Sequence, residues 1–309
     1  MDLPTIAVIG GGLMGTGIAQ VFATAGHRVR VQEPFAAVRD TIADRLRSGL
    51  AQLGEDPDAA QQVSVHERLA DAVAGADIVF EAAPEKLALK RTIFAALEHH
   101  APHRAILSSN TSVMPIGSIV AGLATQDRMI GTHWWNPPTL IPLVEVIQAT
   151  NTSDATVAAM MTLLAAAGKK PAHVRKDVAG FVANRLQHAL WREAVAMVAD
   201  GICDAATVDD CVKHSFGLRL PVLGPLENAD LVGIDLTRDI HRTILPALNR
   251  DSTPNPILDE MIAAGRLGFK SGSGFRDWSE AEQSALRARL VNHLRDVRAH
   301  PSRLAGEAS

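Results

Sequence analysis

The sequence predicts an α/β fold, in which an N-terminal doubly wound parallel sheet is followed by a C-terminal all-helical domain. In the first half of the chain, short apolar runs alternate with helical patterns, which is typical of β-α units around a parallel sheet. After about residue 177 the strand-like runs stop, and amphipathic helical patterns continue towards the C-terminus. We therefore expect two domains in this 309-residue chain, over residues 1–178 and 179–309.

Seven apolar runs are predicted to form the strands of the sheet. They cover residues 5–9, 28–32, 77–82, 105–108, 128–132, 143–147 and 171–174. Helical patterns lie between several of them, for example at residues 13–24 and 86–99. In the second domain, residues 181–199 predict a long amphipathic helix, and Ser279 with Glu282 forms a capping box that opens a last helix.

The composition excludes several kinds of protein. With 47% apolar and 21% charged residues the chain is expected to be folded and soluble, and a net charge of -4 provides no cationic field for nucleic acid. No uncharged apolar run is long enough for a membrane span and no signal peptide is recognised, so we expect a cytoplasmic protein without membrane partners. The absence of tyrosine excludes dehydrogenase mechanisms that use a phenol as the proton donor. Two cysteines are too few for a four-thiolate zinc site, and no metal is expected.

Three glycines directly follow the first predicted strand. Gly10, Gly12 and Gly15 have the spacing G-x-G-x-x-G, and they open a helix whose first residues are Leu13 and Met14. Glycines at these positions permit a tight turn, the close approach of a pyrophosphate and the packing of helix on strand, while N–H groups at the helix N-terminus bind the phosphates. The pattern predicts a Rossmann-type dinucleotide site.

An acidic residue ends the second predicted strand. Glu33 follows the third glycine at close to the ~20-residue spacing expected of the residue that binds the adenosine ribose. A carboxylate there accepts hydrogen bonds from the ribose hydroxyls and repels a 2′-phosphate, so NAD is expected in preference to NADP. Arg39 lies close enough in the sequence to keep the phosphorylated cofactor open as an alternative.

The reacting end of the site is predicted where the fifth strand ends. Residues 131–138 read G-T-H-W-W-N-P-P, and ligands of doubly wound sheets bind outside the carboxyl ends of the strands. His133 stands between that strand and a proline-rich loop, and Glu145 in the next apolar run can return to hold its imidazole. A neutral histidine can take a proton from an alcohol, and a partnered carboxylate fixes its tautomer. The alternative is a structural histidine.

At these residues the chain resembles the L-3-hydroxyacyl-CoA dehydrogenase family, including the 3-hydroxybutyryl-CoA enzymes, over about residues 4–278. The matching segments are the glycine turn with Glu33, followed by residues 84–90, 108–112, 133–145 and 180–185. The resemblance implies an NAD-dependent oxidoreductase of fatty acid metabolism that acts on CH–OH groups and forms a homodimer through its helical domain.

The resemblance also implies a role for each matched residue. His133 would be the general base towards the substrate hydroxyl, and Glu145 would orient it. Ser112 and Asn184 would bind the substrate oxygen. Contacts with the cofactor beyond the glycine turn are expected from Glu85, Lys90, Asn110 and Asn136. Other roles remain open: Ser112 as a helix cap, Asn184 as a hydrogen-bond donor to the domain linker and Lys90 as a solvated helix residue.

The sequence departs from the CoA-utilising members in two places. Residues 34–63 contain three arginines and five acidic residues but no lysine. A segment with this charge is expected to bind the phosphates of CoA poorly. Trp134 and Trp135 occupy positions at which CoA enzymes more usually have phenylalanine. We expect this pair to be the main determinant of substrate specificity. A short-chain 3-hydroxyacyl-CoA is slightly favoured, and a free hydroxy acid or small alcohol of the carnitine, gulonate or pyridine carboxylate type remains open.

A protein of another class is also compatible with the glycine turn. Some lens crystallins bind dinucleotides on this fold without catalysis, but retention of the whole catalytic set argues against such an idle protein. The 6-phosphogluconate-type dehydrogenases need a lysine in the interdomain helix, and residues 178–185 contain none.

Overall fold

The computed structural model describes residues 3–300. The chain divides into two compact units, Met1–Arg185 and Leu186–Ser309. The first unit is built on a single eight-stranded sheet. Its strands are β1 Ile6–Ile9, β2 Val29–Gln32, β3 Val63–His66, β4 Ile78–Glu81, β5 Ile106–Ser109, β6 Met129–Trp134, β7 Leu143–Ile147 and β8 Lys170–Val174.

The order of the strands in the sheet is β3-β2-β1-β4-β5-β6-β7-β8. Neighbouring strands are parallel except β6 and β7, which form an antiparallel pair. The direction in which the chain adds strands reverses between β1 and β4, and this is the point at which doubly wound sheets bind ligands. The arrangement confirms the predicted α/β class with a Rossmann-type sheet.

Helices cover both faces of the sheet. The helices of the first unit are α1 Leu13–Thr24, α2 Ala36–Arg39, α3 Ile42–Leu53, α4 Leu69–Val73, α5 Leu87–His100, α6 Ile116–Ile119 and α7 Asp154–Ala166. Because successive side chains of a strand point to opposite faces, β1 contributes to two cores. Ile6 and Val8 belong to the core that contains Phe22 of α1, and Ala7 and Ile9 belong to the core that contains Phe94 of α5.

The strand β3 was not among the predicted strands. It pairs only with β2, at one edge of the sheet, and its residues are half-buried or exposed. Strands inside a parallel sheet are buried on both faces and appear in the sequence as continuous apolar runs. The alternating Val-Ser-Val-His of an edge strand gives no such run, which explains the omission.

In the part that the structure describes, the second unit contains helices and no β-strand, with two isolated β-bridges between residues 268 and 277. After α8 Ala183–Ala199, which starts in the first unit, its helices are α9 Ala205–Lys213, α10 Pro225–Val232, α11 Ile234–Ile244, α12 Pro256–Ala263 and α13 Glu280–Ala299. The predicted capping box opens α13: the N–H of Glu282 donates to the Ser279 hydroxyl, and the Ser279 N–H donates to the Glu282 carboxylate. Among residues 3–300, no helix is both long and apolar enough to span a membrane.

Candidate active site

The three glycines of the turn after β1 serve three different geometric needs. Gly10 has φ +101°, and a Cβ there would lie 2.8 Å from the Ala82 carbonyl oxygen. A Cβ on Gly15 would lie 1.8 Å from the carbonyl oxygen of Gly10, so α1 can pack on the turn only without a side chain at this position. At Gly12 a Cβ would meet nothing within 4 Å. The turn therefore leaves an open cradle over Gly12, which fits the approach of a pyrophosphate.

The N-terminus of α1 opens onto this cradle. Gly12 is its N-cap residue and supplies no side chain to cap the helix. The first turn, which contains Leu13 and Met14, therefore keeps unsatisfied N–H groups that suit an anion. Leu13 is largely exposed at this end of the helix. The predicted residues Gly10, Gly12, Leu13, Met14 and Gly15 thus lie in the turn after β1 and the first turn of α1, where Leu13 is exposed and Gly15 is buried.

Glu33 lies against the glycine turn. Its carboxylate is buried and accepts the N–H of Gly11 at 2.9 Å and the N–H of Phe35 at 3.0 Å. Arg39, the residue that kept NADP open, donates to the backbone carbonyls of Glu33 and Pro34 and pairs with a neighbouring carboxylate. A carboxylate at the position predicted for the ribose, together with an arginine already engaged by protein groups, suits NAD better than its 2′-phosphorylated form.

His133 and Glu145 form a buried pair at the other end of the site. The antiparallel register of β6 and β7 places these two residues directly opposite each other, so their side chains share one face of the sheet. Nδ1 of His133 donates to Oε2 of Glu145 at 2.7 Å, and the two residues are 3% and 1% exposed. With Nδ1–H committed to the carboxylate, Nε2 is left as the proton acceptor.

The second carboxylate oxygen of Glu145 accepts hydrogen bonds from the backbone at the start of α8. Oε1 accepts the N–H groups of Val182 and Ala183 at 2.9 and 3.1 Å. Burial alone would raise the pKa of Glu145, but the hydrogen bonds from His133 and from these two N–H groups outweigh it and hold the pKa below its usual value. The carboxylate therefore stays ionised beside the imidazole, and it also caps a helix N-terminus, where negative charge is stabilised.

Two aromatic rings flank the imidazole of His133. The ring centroids of Trp135 and Phe181 lie 5.1 and 5.7 Å from it. Trp134 instead lies in the core, where it packs against Phe22 and Phe80. Of the two tryptophans suspected of setting substrate choice, therefore, Trp135 is the one placed beside the predicted general base.

Ser112 and Asn184 lie next to each other in the first unit. The side-chain amide of Asn184 donates to the backbone carbonyl of Ser112 at 2.9 Å, and the N–H of Ser112 donates to Glu85 at 3.0 Å. The amide of Asn184 therefore contacts the Ser112 segment, and its predicted role towards the substrate oxygen stays a prediction. The backbone of Ser112 is held from both sides, in an exposed position.

The other residues predicted to contact the cofactor follow the ends of β4, β5 and β6. Asn110 accepts the N–H of Trp134 at 2.9 Å, and Asn136 is exposed in the loop after β6. Glu85 is half-exposed, whereas the ammonium of Lys90 is completely buried and bound by the carboxylate of Glu81. Contacts of Glu85, Asn110 and Asn136 with the cofactor remain predictions. The alternative of a solvated Lys90 is wrong, because its side chain is fully buried, and in this structure its ammonium faces Glu81 and Glu85.

Two buried residues near the site were not identified from the sequence. The first is Glu81, which ends β4 with an acidic side chain after a fully apolar run, a signal that could have found it. The second is Lys169, whose ammonium donates to the carbonyls of Pro138 and Ile141 and lies 5.5 Å from the ring centroid of Trp134. Lys169 therefore supports the proline-rich loop after β6. Its place beside Lys170 in the sequence looks like an ordinary solvated pair, so no sequence signal marks it.

The described residues contain no group of three or more histidine, cysteine or carboxylate side chains suited to a metal ion. The candidate site consists of an open glycine cradle after β1, a buried carboxylate after β2 at the position predicted for the ribose, and a buried His–Glu pair on β6 and β7. Together these features define an NAD-dependent dehydrogenase that acts on CH–OH groups.

Comparison with known families names the class more closely. Residues 5–178 match the model of the 3-hydroxyacyl-CoA dehydrogenase NAD-binding domain, and residues 180–278 match that of the 3-hydroxyacyl-CoA dehydrogenase C-terminal domain. The chain belongs to the 3-hydroxyacyl-CoA dehydrogenase family. The resemblance stated from the sequence motifs is thereby confirmed, and so is NAD as the cofactor.

The relatives include enzymes with different kinds of substrate. The chain is 33% identical to 5-formyl-3-hydroxy-2-methylpyridine 4-carboxylate 5-dehydrogenase of Mesorhizobium japonicum, over 95% of this chain and 96% of the relative. A solved structure of an enzyme of that name, described as an NAD+ dependent dismutase, superimposes with a TM-score of 0.88 at 32% identity and covers 96% of this chain and 98% of the other. The structure of (S)-3-hydroxybutyryl-CoA dehydrogenase from Ralstonia eutropha superimposes with a TM-score of 0.75 at 32% identity. This match covers 90% of this chain and 100% of the other.

Proposed function

We propose that the protein oxidises the CH–OH group of a small hydroxy acid or alcohol that does not carry CoA, with His133 as the general base. The buried hydrogen bond between His133 and Glu145 carries the proposed oxidation, because it commits Nδ1 and leaves Nε2 to accept a proton. The cofactor, when bound, supplies a nicotinamide that accepts a hydride. All other steps are assigned to side chains of this chain.

In the oxidation direction, the substrate hydroxyl donates its proton to Nε2 of His133 while the hydrogen on the same carbon leaves as hydride. Glu145 stabilises the imidazolium that forms, since its own carboxylate is held ionised. The hydroxyl of Ser112 is proposed to bind the reacting oxygen. Its backbone position is fixed on one side by Asn184 and on the other by Glu85. The protein thus positions the substrate oxygen and stabilises the positive charge that forms on His133.

The basic residues of the segment 34–63 argue against CoA as part of the substrate. All three of its arginines are already engaged by protein groups. Arg39 donates to two backbone carbonyls, Arg45 donates to the carbonyls of Gly11 and Val38, and Arg47 pairs with Asp44. A CoA nucleotide needs cationic partners for its phosphates, and this segment has five acidic side chains and no lysine. The higher TM-score with the pyridine carboxylate enzyme supports the same preference.

A short-chain 3-hydroxyacyl-CoA, such as 3-hydroxybutyryl-CoA, is the second candidate substrate. The descriptions of both matching family models favour it, as does the match to a 3-hydroxybutyryl-CoA dehydrogenase over 90% of this chain. The two candidates share the same reacting groups, because both are oxidised at a CH–OH carbon. They differ in whether several negative phosphates must be bound outside the reacting centre.

The experiment is to measure NADH formation across a panel of free hydroxy acids and 3-hydroxyacyl-CoA thioesters, with a salt series on every active compound. We expect turnover of a free hydroxy acid with a KM that changes little between low and high salt. A KM for a CoA thioester that rises strongly with salt, at kcat/KM above that of every free acid, would establish the second candidate. Absence of turnover on the whole panel, with NADH binding retained, would favour the idle dinucleotide-binding protein.

We also propose that the protein is a homodimer that pairs through its helical unit. On α11, Leu236, Ile240 and Ile244 recur every four residues and form an exposed apolar stripe, with 45–50% of each side chain exposed. On α10, Leu226 and Leu231 are 79% and 70% exposed. A folded unit normally covers an exposed apolar stripe such as that of α11 with another protein surface. A second copy of the chain is the partner we propose.

A further inference from the structure

A fully buried ion pair joins Glu81, at the carboxyl end of β4, to Lys90 of α5. Nζ of Lys90 donates to Oε1 and Oε2 of Glu81 at 2.8 and 2.9 Å, and neither side chain has any solvent exposure. The Glu81 carboxylate also accepts the hydroxyl of Ser109 at 2.6 Å and the N–H of Ala83 at 2.7 Å. Glu81 is therefore satisfied entirely by protein groups, and the mechanism above makes no use of it.

The pair is connected to a second carboxylate. Nζ of Lys90 lies 3.3 Å from Oε2 of Glu85, so one ammonium stands between two carboxylates. A buried ammonium needs a partner for each of its three donors, and removing one anionic partner leaves its charge to be compensated by the other. The position of Glu85 thus depends on how firmly Glu81 holds Lys90.

Glu85 in turn anchors the segment that carries Ser112. Its Oε1 accepts the hydroxyl of Thr111 and the N–H groups of Ser112 and Val113, the latter two at 3.0 and 3.4 Å. Burial alone would raise the pKa of Glu85, yet the Thr111 hydroxyl and the charge of Lys90 outweigh it and hold the pKa below its usual value. An ionised Glu85 therefore ties the loop after β4 to the loop after β5.

We propose that Glu81 is a positioning residue for Ser112: by holding the ammonium of Lys90, it keeps Glu85 available to anchor the Thr111–Val113 segment. The role of Ser112 at the substrate oxygen rests on the proposed function above. Lys90 acts through Glu85 in this arrangement, since its ammonium is completely enclosed and faces protein carboxylates. Without the negative charge of Glu81, Lys90 turns to Glu85 and competes with Ser112 and Thr111 for the same carboxylate.

The test compares Glu81→Gln with the double variant Glu81→Gln/Lys90→Met in the full-length protein. Glu81→Gln keeps the shape of the side chain but leaves Lys90 with Glu85 as its anionic partner. The double variant removes both charges and releases Glu85 to bind the segment again. Lys86→Met is the matched control, because Lys86 is an exposed lysine at the start of the same helix. For each variant, kcat and KM, the Kd for NADH and the thermal unfolding curve are measured.

Per folded molecule, we expect Glu81→Gln to lower kcat at least tenfold and the double variant to recover most of that loss. Lys86→Met should match the unsubstituted protein. Equal kcat for Glu81→Gln and the unsubstituted protein would overturn the proposal, as would a double variant no more active than Glu81→Gln. A purely structural role would change the unfolding temperature and leave kcat per folded molecule unaltered.

Hydrogen exchange gives a readout that does not depend on turnover. In Glu81→Gln, the amides of Ser112 and Val113 should exchange at least tenfold faster than in the unsubstituted protein, and the double variant should restore their protection. If no substrate of the panel is turned over while this exchange pattern appears, the proposed function fails and the positioning role of Glu81 stands. Unchanged exchange at these two amides in Glu81→Gln would overturn the positioning role itself.

Discussion

At the scale of single residues, the buried pair of His133 and Glu145 governs the chemistry we propose. The sequence could predict this pair, because the connection between the two apolar runs is too short for a parallel crossover and therefore pairs them as antiparallel neighbours. It could not predict the second use of Glu145, which binds the first N–H groups of α8. That contact depends on the backbone of Phe181, whose φ of +50° is rare for a residue other than glycine.

Glu145→Gln should change how stability depends on pH. A glutamate with a pKa depressed by folding stabilises the protein fully above its usual pKa of 4.5, and this contribution is lost as pH falls through the lowered folded value. We expect the variant to lose about 1–3 kcal/mol of unfolding free energy at pH 7 and proportionately less in acid below pH 4.5. Urea unfolding at several pH values measures this difference.

The control for that experiment is Glu98→Gln, which lies away from the site. Glu98 accepts the N–H and the hydroxyl of Thr125, and although burial opposes them, these bonds hold its pKa below the usual value. In both variants the unfolding free energy should therefore fall less between pH 7 and acid than it does in the unsubstituted protein. Only Glu145→Gln should lose activity at neutral pH. A Glu145→Gln variant with the activity of the unsubstituted protein would contradict the orienting role of Glu145.

At the scale of elements, the strands inside the sheet could be predicted and its edge could not. β1 and β4 are buried on both faces and therefore appear as apolar runs, whereas β3 has one neighbour and a mixed pattern. The start of α8 also differs from the prediction. The helical pattern begins at residue 181, but Gly180 and Phe181 both have positive φ, so the helix starts at Ala183. Apolar periodicity carries no information about such a backbone reversal.

The glycine turn before α1 provides a matched pair of substitutions. Gly15→Ala places a methyl group 1.8 Å from a backbone oxygen, and it should cost at least about 2 kcal/mol of unfolding free energy. Gly12→Ala meets no atom within 4 Å, and its φ of −69° suits alanine, so its stability should change by less than about 1 kcal/mol.

The affinity for NADH should fall more in Gly12→Ala than in Gly15→Ala, when each is measured on folded protein. The new methyl group of Gly12→Ala projects into the cradle over the helix N-terminus, where the pyrophosphate must approach. Its Kd for NADH should rise about tenfold or more, equivalent to about 1.4 kcal/mol, as fluorescence titration would show. An unchanged Kd in Gly12→Ala would mean that the cradle is not the phosphate site.

At the scale of the whole molecule, the sequence indicates a sheet domain and a helical domain, and the structure divides into two compact units with these characters. The surface of the helical unit could not be foreseen, because apolar stripes on α10 and α11 look the same in a sequence whether they face a core or another subunit. Their exposure in the single chain is what supports a homodimer.

Ile240→Glu should convert the protein to a monomer, because it places a charge in the middle of the exposed stripe on α11. Light scattering after size-exclusion chromatography measures the mass, which is 32.9 kDa for one chain. Leu3→Glu is the control, since Leu3 is an exposed apolar residue of the first unit, and this variant should keep the mass of the dimer. A mass of one chain for the unsubstituted protein would rule out the dimer.

The central claim is that His133 takes the proton of a substrate hydroxyl whose carbon gives its hydride to NAD bound in the same unit. Single-turnover NADH formation by His133→Gln, measured alongside the Kd for NADH, tests it most directly. We predict that hydride transfer falls at least about 100-fold, as expected for loss of a general base, while the Kd stays within about twofold. Full turnover by His133→Gln would contradict the claim.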